Sequence, residues 1–135
     1  LEALREVGKP PLDAMQISFV SEYDQIDILT AIRDGRPTAI IGSNDLLALG
    51  VIAALRREGL AVPRDMSVAG FDGIVSGRLI DPPLTTMNMP DASMGTTAAS
   101  LLLDMVENAA PDRHLELAYS LHKGGTVRDL NKPSK

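Results

Sequence analysis

Apolar and polar positions alternate along this chain in two distinct rhythms. Met15-Gln16-Ile17-Ser18-Phe19-Val20 alternates with period two and then closes apolar, which predicts a short strand. Tyr23, Ile26, Leu29 and Ile32 recur every third residue with Asp24, Asp27 and Arg33 between them, which predicts an amphipathic helix stopped near Gly35. Thr38 to Gly42 is continuously apolar apart from its first residue and reads as a strand buried on both faces. A Leu- and Ala-rich helix follows from about Leu46 to Glu58 and closes at Gly59. Met66 to Phe71 is a third strand. Strand, helix, strand, helix, strand with short connections implies parallel strands joined by right-handed crossovers.

Beyond Asp72 the rhythm loosens. Gly73 to Pro83 holds two Gly and two Pro and reads as a loop. Leu84 to Met87 is expected as a strand. Ala92 to Glu107 is expected as a helix with Met94, Ala98, Leu101, Leu102 and Met105 on its apolar side, broken by Pro111. Leu115 to Lys123 alternates and reads as a last strand at a sheet edge. The tail from Asn131 is expected to fray.

Composition narrows the function classes. The 135 residues fit one domain, and with two Tyr, two Phe and no Trp its core must be aliphatic. The formal net charge is −5, and Arg56-Arg57 is followed at once by Glu58, so this segment lacks the basic face that phosphate contacts need. The absence of cysteine excludes disulfides, thiolate metal sites and cysteine nucleophiles. No apolar run approaches a membrane span, and no signal peptide is visible. The chain opens on Leu1-Glu2-Ala3-Leu4 as though inside a helix, which suggests a piece of a longer protein.

Ligands of open α/β sheets bind outside the carboxyl ends of the strands. Ser43-Asn44-Asp45 follows one strand, Asp72 follows another, and Phe19 ends the first. Carboxylate and amide groups beside an aromatic plane suit a polyol, whose hydroxyls they pair and whose C–H face the ring covers. Each residue has a plainer role as well. Asp45 is read as a helix cap, Asn44 equally as cap or ligand contact, Asp72 as an Asx-turn residue, and Phe19 as core. No catalytic residue is assigned. His114 and His122 lack partners at metal-ligand spacing, Ser67 and Ser76 lack a nucleophile elbow, and no dinucleotide or phosphate loop is present.

Four segments in register resemble lactose/galactose-repressor-type regulators over roughly Phe19 to Thr126. They are Arg36-Pro37-Thr38-Ala39-Ile40-Ile41-Gly42-Ser43-Asn44-Asp45 with Ala48 and Gly50; Gly59 through Val62-Pro63, Asp65 and Ser67-Val68 to Gly70-Phe71-Asp72; Pro82-Pro83-Leu84-Thr85-Thr86; and Met94-Gly95 with Ala98 and Leu101-Leu102-Leu103. The resemblance implies the C-terminal lobe of a type I periplasmic-binding-protein-like domain: an α/β fold in three layers, a parallel sheet with helices on both faces. Residues 15–83 would form the lobe core, 84–108 an excursion to the N-terminal lobe, and 115–126 the return strand.

By the same resemblance Asn44 and Asp72 hold an effector, expected to be a sugar or a related small polar metabolite. Phe19 fits the aromatic position and Leu49 contacts a second copy across a homodimer. The family's helix-turn-helix would precede Leu1, giving a cytoplasmic regulator that meets DNA only through that domain and needs no cofactor. Where many relatives carry Gln this chain has Met89, and the family's cleft arginine would also lie upstream. Cut from its first lobe, the helix over 92–107 is expected to pack on another chain or fold back. The competing expectation is a periplasmic sugar-binding protein of a transport system.

Overall fold

A computed structural model of the chain describes residues 29, 30, 32, 33, 37–108 and 114–129. Phe19, the strand expected over 15–20, the start of the following helix, Pro111 and the tail from Asn131 lie outside the described residues. Residues 29, 30, 32 and 33 are helical, as the three-residue spacing predicts.

Four strands form one sheet in the order β1 (Ala39–Ile41), β2 (Ser67–Asp72), β3 (Thr85–Asn88) and β4 (Ser120–His122). β1, β2 and β3 are parallel, with Ile40 opposite Val68 and Gly70 opposite Thr86. β4 runs antiparallel to β3, with Leu121 opposite Met87. The sheet is therefore mixed, not wholly parallel as expected. The returning chain enters at the carboxyl end of β3, where an antiparallel strand needs no crossover.

Helix α1 (Asp45–Arg57) packs on β2 and supplies most of the core. Ala48, Val51, Ile52 and Leu55 bury one stripe at helical spacing against Val62, Met66, Val68 and Leu84. The helix stops where the sequence predicts. Gly59 takes φ 75°, and Gly59 N–H and Leu60 N–H donate to Arg56 O at 3.1 Å and Leu55 O at 2.9 Å. That is the paired closure of a Schellman turn, with Leu60 packed back on the core.

The next turn explains the Val-Pro-x-Asp spacing. Asp65 Oδ2 accepts from Ala61 N–H at 2.8 Å while Asp65 N–H donates to Ala61 O at 2.7 Å. This closes residues 61–65 over the buried Val62. Arg64 donates from Nε and Nη2 to the same carboxylate at 3.1 and 2.8 Å. The Val62-Pro63 and Asp81-Pro82 peptides are cis.

Three features differ from the sequence reading. Ile41 is 81% exposed, and β1 lies at the edge of the described sheet with β2 on one flank only. The loop over 73–83 contains a single helical turn, α2 (Val75–Arg78), where Gly77 lets the turn rest on Leu84. Residues 85–88, within the stretch expected as an excursion, pair with β2 in the sheet.

Helix α3 (Asp91–Asn108) then exposes Leu102, Leu103, Met105 and Val106. After β4 the chain lies along the start of β3. Val68 N–H donates to Thr126 O and Thr85 N–H to Thr126 Oγ1, both at 2.9 Å.

Replacing the fully buried Leu55 by Ala should cost about 2–5 kcal/mol. The same change at the exposed Leu79 should stay within about 0.5 kcal/mol. Urea unfolding of both variants checks the contrast.

The turn also titrates. The hydrogen bond from Arg64, then that from Ala61 N–H, holds the Asp65 carboxyl down at about 2. A folded-state value below the unfolded one stabilises above the unfolded value, roughly pH 4, and that stability is lost as pH falls toward 2. Asp65→Asn should therefore lower the melting temperature at neutral pH, and its difference from wild type should vanish near pH 2.

Candidate functional site

The carboxyl ends of β1, β2 and β3 lie at one edge of the sheet, because the strands are parallel. Asn44, Asp72 and Asn88 stand at those ends. The first two are the predicted contacts that the structure describes, and the fold brings their strand ends together. Phe19 lies outside the described residues.

Asn44 is the cap of α1. It takes φ −148° and ψ 171°, and its Oδ1 accepts from Leu47 N–H at 2.8 Å. The oxygen is thus committed to the helix, while its amide nitrogen has no partner among the described residues.

Asp45, expected as the cap, does something else. It is wholly buried, and its carboxylate ties the start of α1 to the turn after β2 and to Thr86 near the start of β3. Oδ2 accepts from Gly73 N–H and Ile74 N–H, each at 2.8 Å, and Oδ1 accepts from the Thr86 hydroxyl at 2.6 Å. A buried carboxylate is tolerable when its lone pairs are met in this way. β2 has to come close for the contact to form. A Cβ on Gly70 would lie 2.2 Å from Asp45 Oδ1, so no side chain fits there.

Asp72 ends β2 with φ 122°, the one non-glycine residue at positive φ among those described. Such a conformation costs about 1–3 kcal/mol and persists only where the surroundings impose it. Gly73 follows at φ 80°. Asp72 is half-buried, its carbonyl accepts from Met89 N–H at 3.2 Å, and its carboxylate has no partner among the described residues. The Asx-turn reading therefore fails, since the side chain closes no turn.

Asn88, opposite Asp72 in the register, was not singled out by sequence. Its Oδ1 accepts from Arg78 Nη2 and its Nδ2 donates to Ser120 Oγ, both at 3.2 Å. The bare Gly73 leaves the room that Asn88 fills, since a Cβ there would meet Asn88 Oδ1 at 2.4 Å. Tyr119, half exposed, packs its ring on Phe71 with centroids 5.6 Å apart. No sequence signal separates Asn88 from a strand-end residue until the register is known.

Leu49 is half-buried and packs against the core, while Leu46, Val75 and Leu79 stand exposed. Among the described residues no three His, Asp or Glu gather where a metal could sit, and no helix is long and apolar enough to cross a membrane. His114 and Glu116 form an exposed pair at 3.9 Å.

Among the described residues the edge shows no acid–base or nucleophilic arrangement. Its side chains offer one unsatisfied carboxylate, one amide nitrogen and a ring. These would grip a small polar molecule by hydrogen bonds.

Comparison with known proteins agrees with this geometry. The periplasmic-binding-protein-like domain family matches residues 5–127. The HTH-type transcriptional repressor PurR of Vibrio cholerae is 37% identical over 100 residues, 73% of this chain and 30% of the relative. The lac repressor dimer bound to operator and the anti-inducer ONPF superposes with TM-score 0.82 at 28% identity, over 93% of this chain and 44% of that one. A LacI family regulator from Enterococcus faecium with bound ribose superposes with TM-score 0.80 at 29% identity, over 93% and 48%. The chain spans about a third of the length of the curated relatives it matches.

Asp45→Ala should leave two backbone donors and a hydroxyl unmet, at about 1–3 kcal/mol for each buried group. Asp45→Asn, which keeps one oxygen for the two N–H groups, should cost less. Denaturant midpoints of the two variants test the order.

Proposed function

Because this chain belongs to the periplasmic-binding-protein-like domain family, and in sequence and fold is of the lactose/galactose-repressor type, we propose that it is the C-terminal lobe of a small-molecule sensor in a transcription regulator. The effector sits at the carboxyl edge of the sheet and is a sugar or a related small polar metabolite. Asp72 accepts from its hydroxyl or N–H groups, the Asn44 amide donates to it, and Phe19 covers its apolar face. The observation that carries this reading is the Asp72 carboxylate, half-buried, unpaired among the described residues and held at φ 122°. A protein does not hold a side chain in strain at a strand end without a compensating use. The ribose bound by a structural relative supports a sugar as the effector class.

The rest of the protein follows from the same reading. Residues 15–83 and the strands β3 and β4 form the lobe, and the segment after Asn88 carries α3 to an N-terminal lobe whose surface covers its apolar residues. Leu49, with the exposed Leu46, Val75 and Leu79, lies on the surface that pairs two copies. Operator binding belongs to a helix-turn-helix domain, and the protein acts in the cytoplasm. Effector binding between the lobes closes them and alters the spacing of the DNA-binding heads. The relatives named as transcriptional repressors favour this over a transport receptor.

Asp72→Gly separates stability from function. Glycine accepts φ 122° freely, so stability should hold or rise by up to about 1 kcal/mol. The full-length protein should at the same time lose its ligand-induced thermal shift across a panel of free sugars and nucleobases. A variant that keeps a shift equal to that of wild type would sink Asp72 as the contact.

A further inference from the structure

Resting on the reading of Asp72 as the effector contact, we propose that Asp45 is the positioning residue that holds Asp72 in its binding conformation. Two consecutive residues lie at positive φ, Asp72 at 122° and Gly73 at 80°. The chain turns there so that the next two N–H groups, of Gly73 and Ile74, converge on a single point. Converging backbone N–H groups of this kind make a concave site for an anion. In this protein one oxygen of Asp45 occupies that site, 2.8 Å from both nitrogens.

The anion is therefore internal and fixed. Its other oxygen is anchored on β3 through the Thr86 hydroxyl at 2.6 Å, and its backbone starts α1 directly after the Asn44 cap. Asp45 touches nothing that Asp72 would bind, and acts only through the turn. Beside the two N–H bonds at 2.8 Å, the Asp72 backbone is held by the longer bond, 3.2 Å, from Met89 N–H to its carbonyl. Gly70 belongs to the same device, because only a residue without Cβ lets the carboxylate reach the turn.

The device also makes the site one unit. The Asn44 cap, the Asp72 turn and Thr86 of β3 are joined through one carboxylate, so a displacement of Asp72 is felt at the start of α1 and in β3. A ligand gripping Asp72 would act on α1 through Asp45 as well as through the Asn44 cap.

The test uses the full-length protein without any ligand, so it can fail independently of the effector reading. Three-bond couplings between amide and α protons report φ at Asp72. In wild type the coupling should be small, as φ near 122° requires, and through-hydrogen-bond couplings should join the Gly73 and Ile74 nitrogens to Asp45 Cγ. Their absence in wild type overturns the proposal even if no variant folds.

In Asp45→Ala, which removes both acceptor oxygens, the Asp72 coupling should grow toward the extended-strand value. Amide exchange at Gly73 and Ile74 should accelerate on the order of tenfold, while Ile52 and Leu55 in α1 keep their rates. Thr86→Val, which spares the oxygen facing the turn, should leave the Asp72 coupling small. An unchanged Asp72 coupling in Asp45→Ala overturns the proposal. If the couplings behave as expected but Asp72→Gly retains the full ligand response, the positioning stands and the effector reading falls.

Discussion

The arrangement of this edge depends on one buried carboxylate. Asp45 accepts from two backbone N–H groups and a hydroxyl, and those donors come from the turn after β2 and from β3, while Asp45 itself starts α1 after β1. Hydrogen bonding of buried polar groups is obligatory, so these partners cannot drift apart one at a time. The constraint reaches back into the sequence. It demands Gly at position 70, where a Cβ would collide with the carboxylate, and favours it at 73, where φ is 80°. It lets α1 start directly from the strand end with Asn44 as its cap.

Much of this fold is legible from hydrophobic rhythm. α1, β2 and α3 fall within a residue or so of their expected bounds, because each is long enough for its period to be unambiguous. The closure at Gly59 is legible too, since a glycine after a helical pattern has one common use. β4 is shorter than its alternation suggests, because alternation shows where side chains could alternate and not which backbone groups find a partner. Its antiparallel sense was not legible at all, since it follows from where the chain re-enters the sheet. The α2 turn escaped notice because Gly and Pro announce a loop, and a single turn needs only Leu84 beneath it.

The site was legible in place and misread in part. Asn44, Asp45 and Asp72 were picked out by their position after apolar strands, yet the roles of the adjacent pair were divided wrongly. Asn44 is the cap and Asp45 the tertiary tie, and no local pattern distinguishes them. The distinction depends on which side chain meets a turn 28 residues away. The strain at Asp72 was equally hidden, because positive φ at a non-glycine residue is imposed by surroundings and not by the residue. Much of the Gly-Phe-Asp segment proves architectural: Gly70 makes room, Phe71 packs on Tyr119, and only Asp72 is left with a free hydrogen-bonding group among the described residues.

As proposed, the carboxyl edge of this sheet receives a small polar effector on Asp72. That placement is tested most directly by backbone chemical-shift mapping of the full-length protein during titration with the sugar and nucleobase panel. The account predicts that the binding compound shifts the amides of Asn44, Asp72, Gly73 and Asn88 first and furthest. A saturable ligand whose shifts instead centred on the 61–65 turn or on α3, leaving those four unmoved, would contradict it.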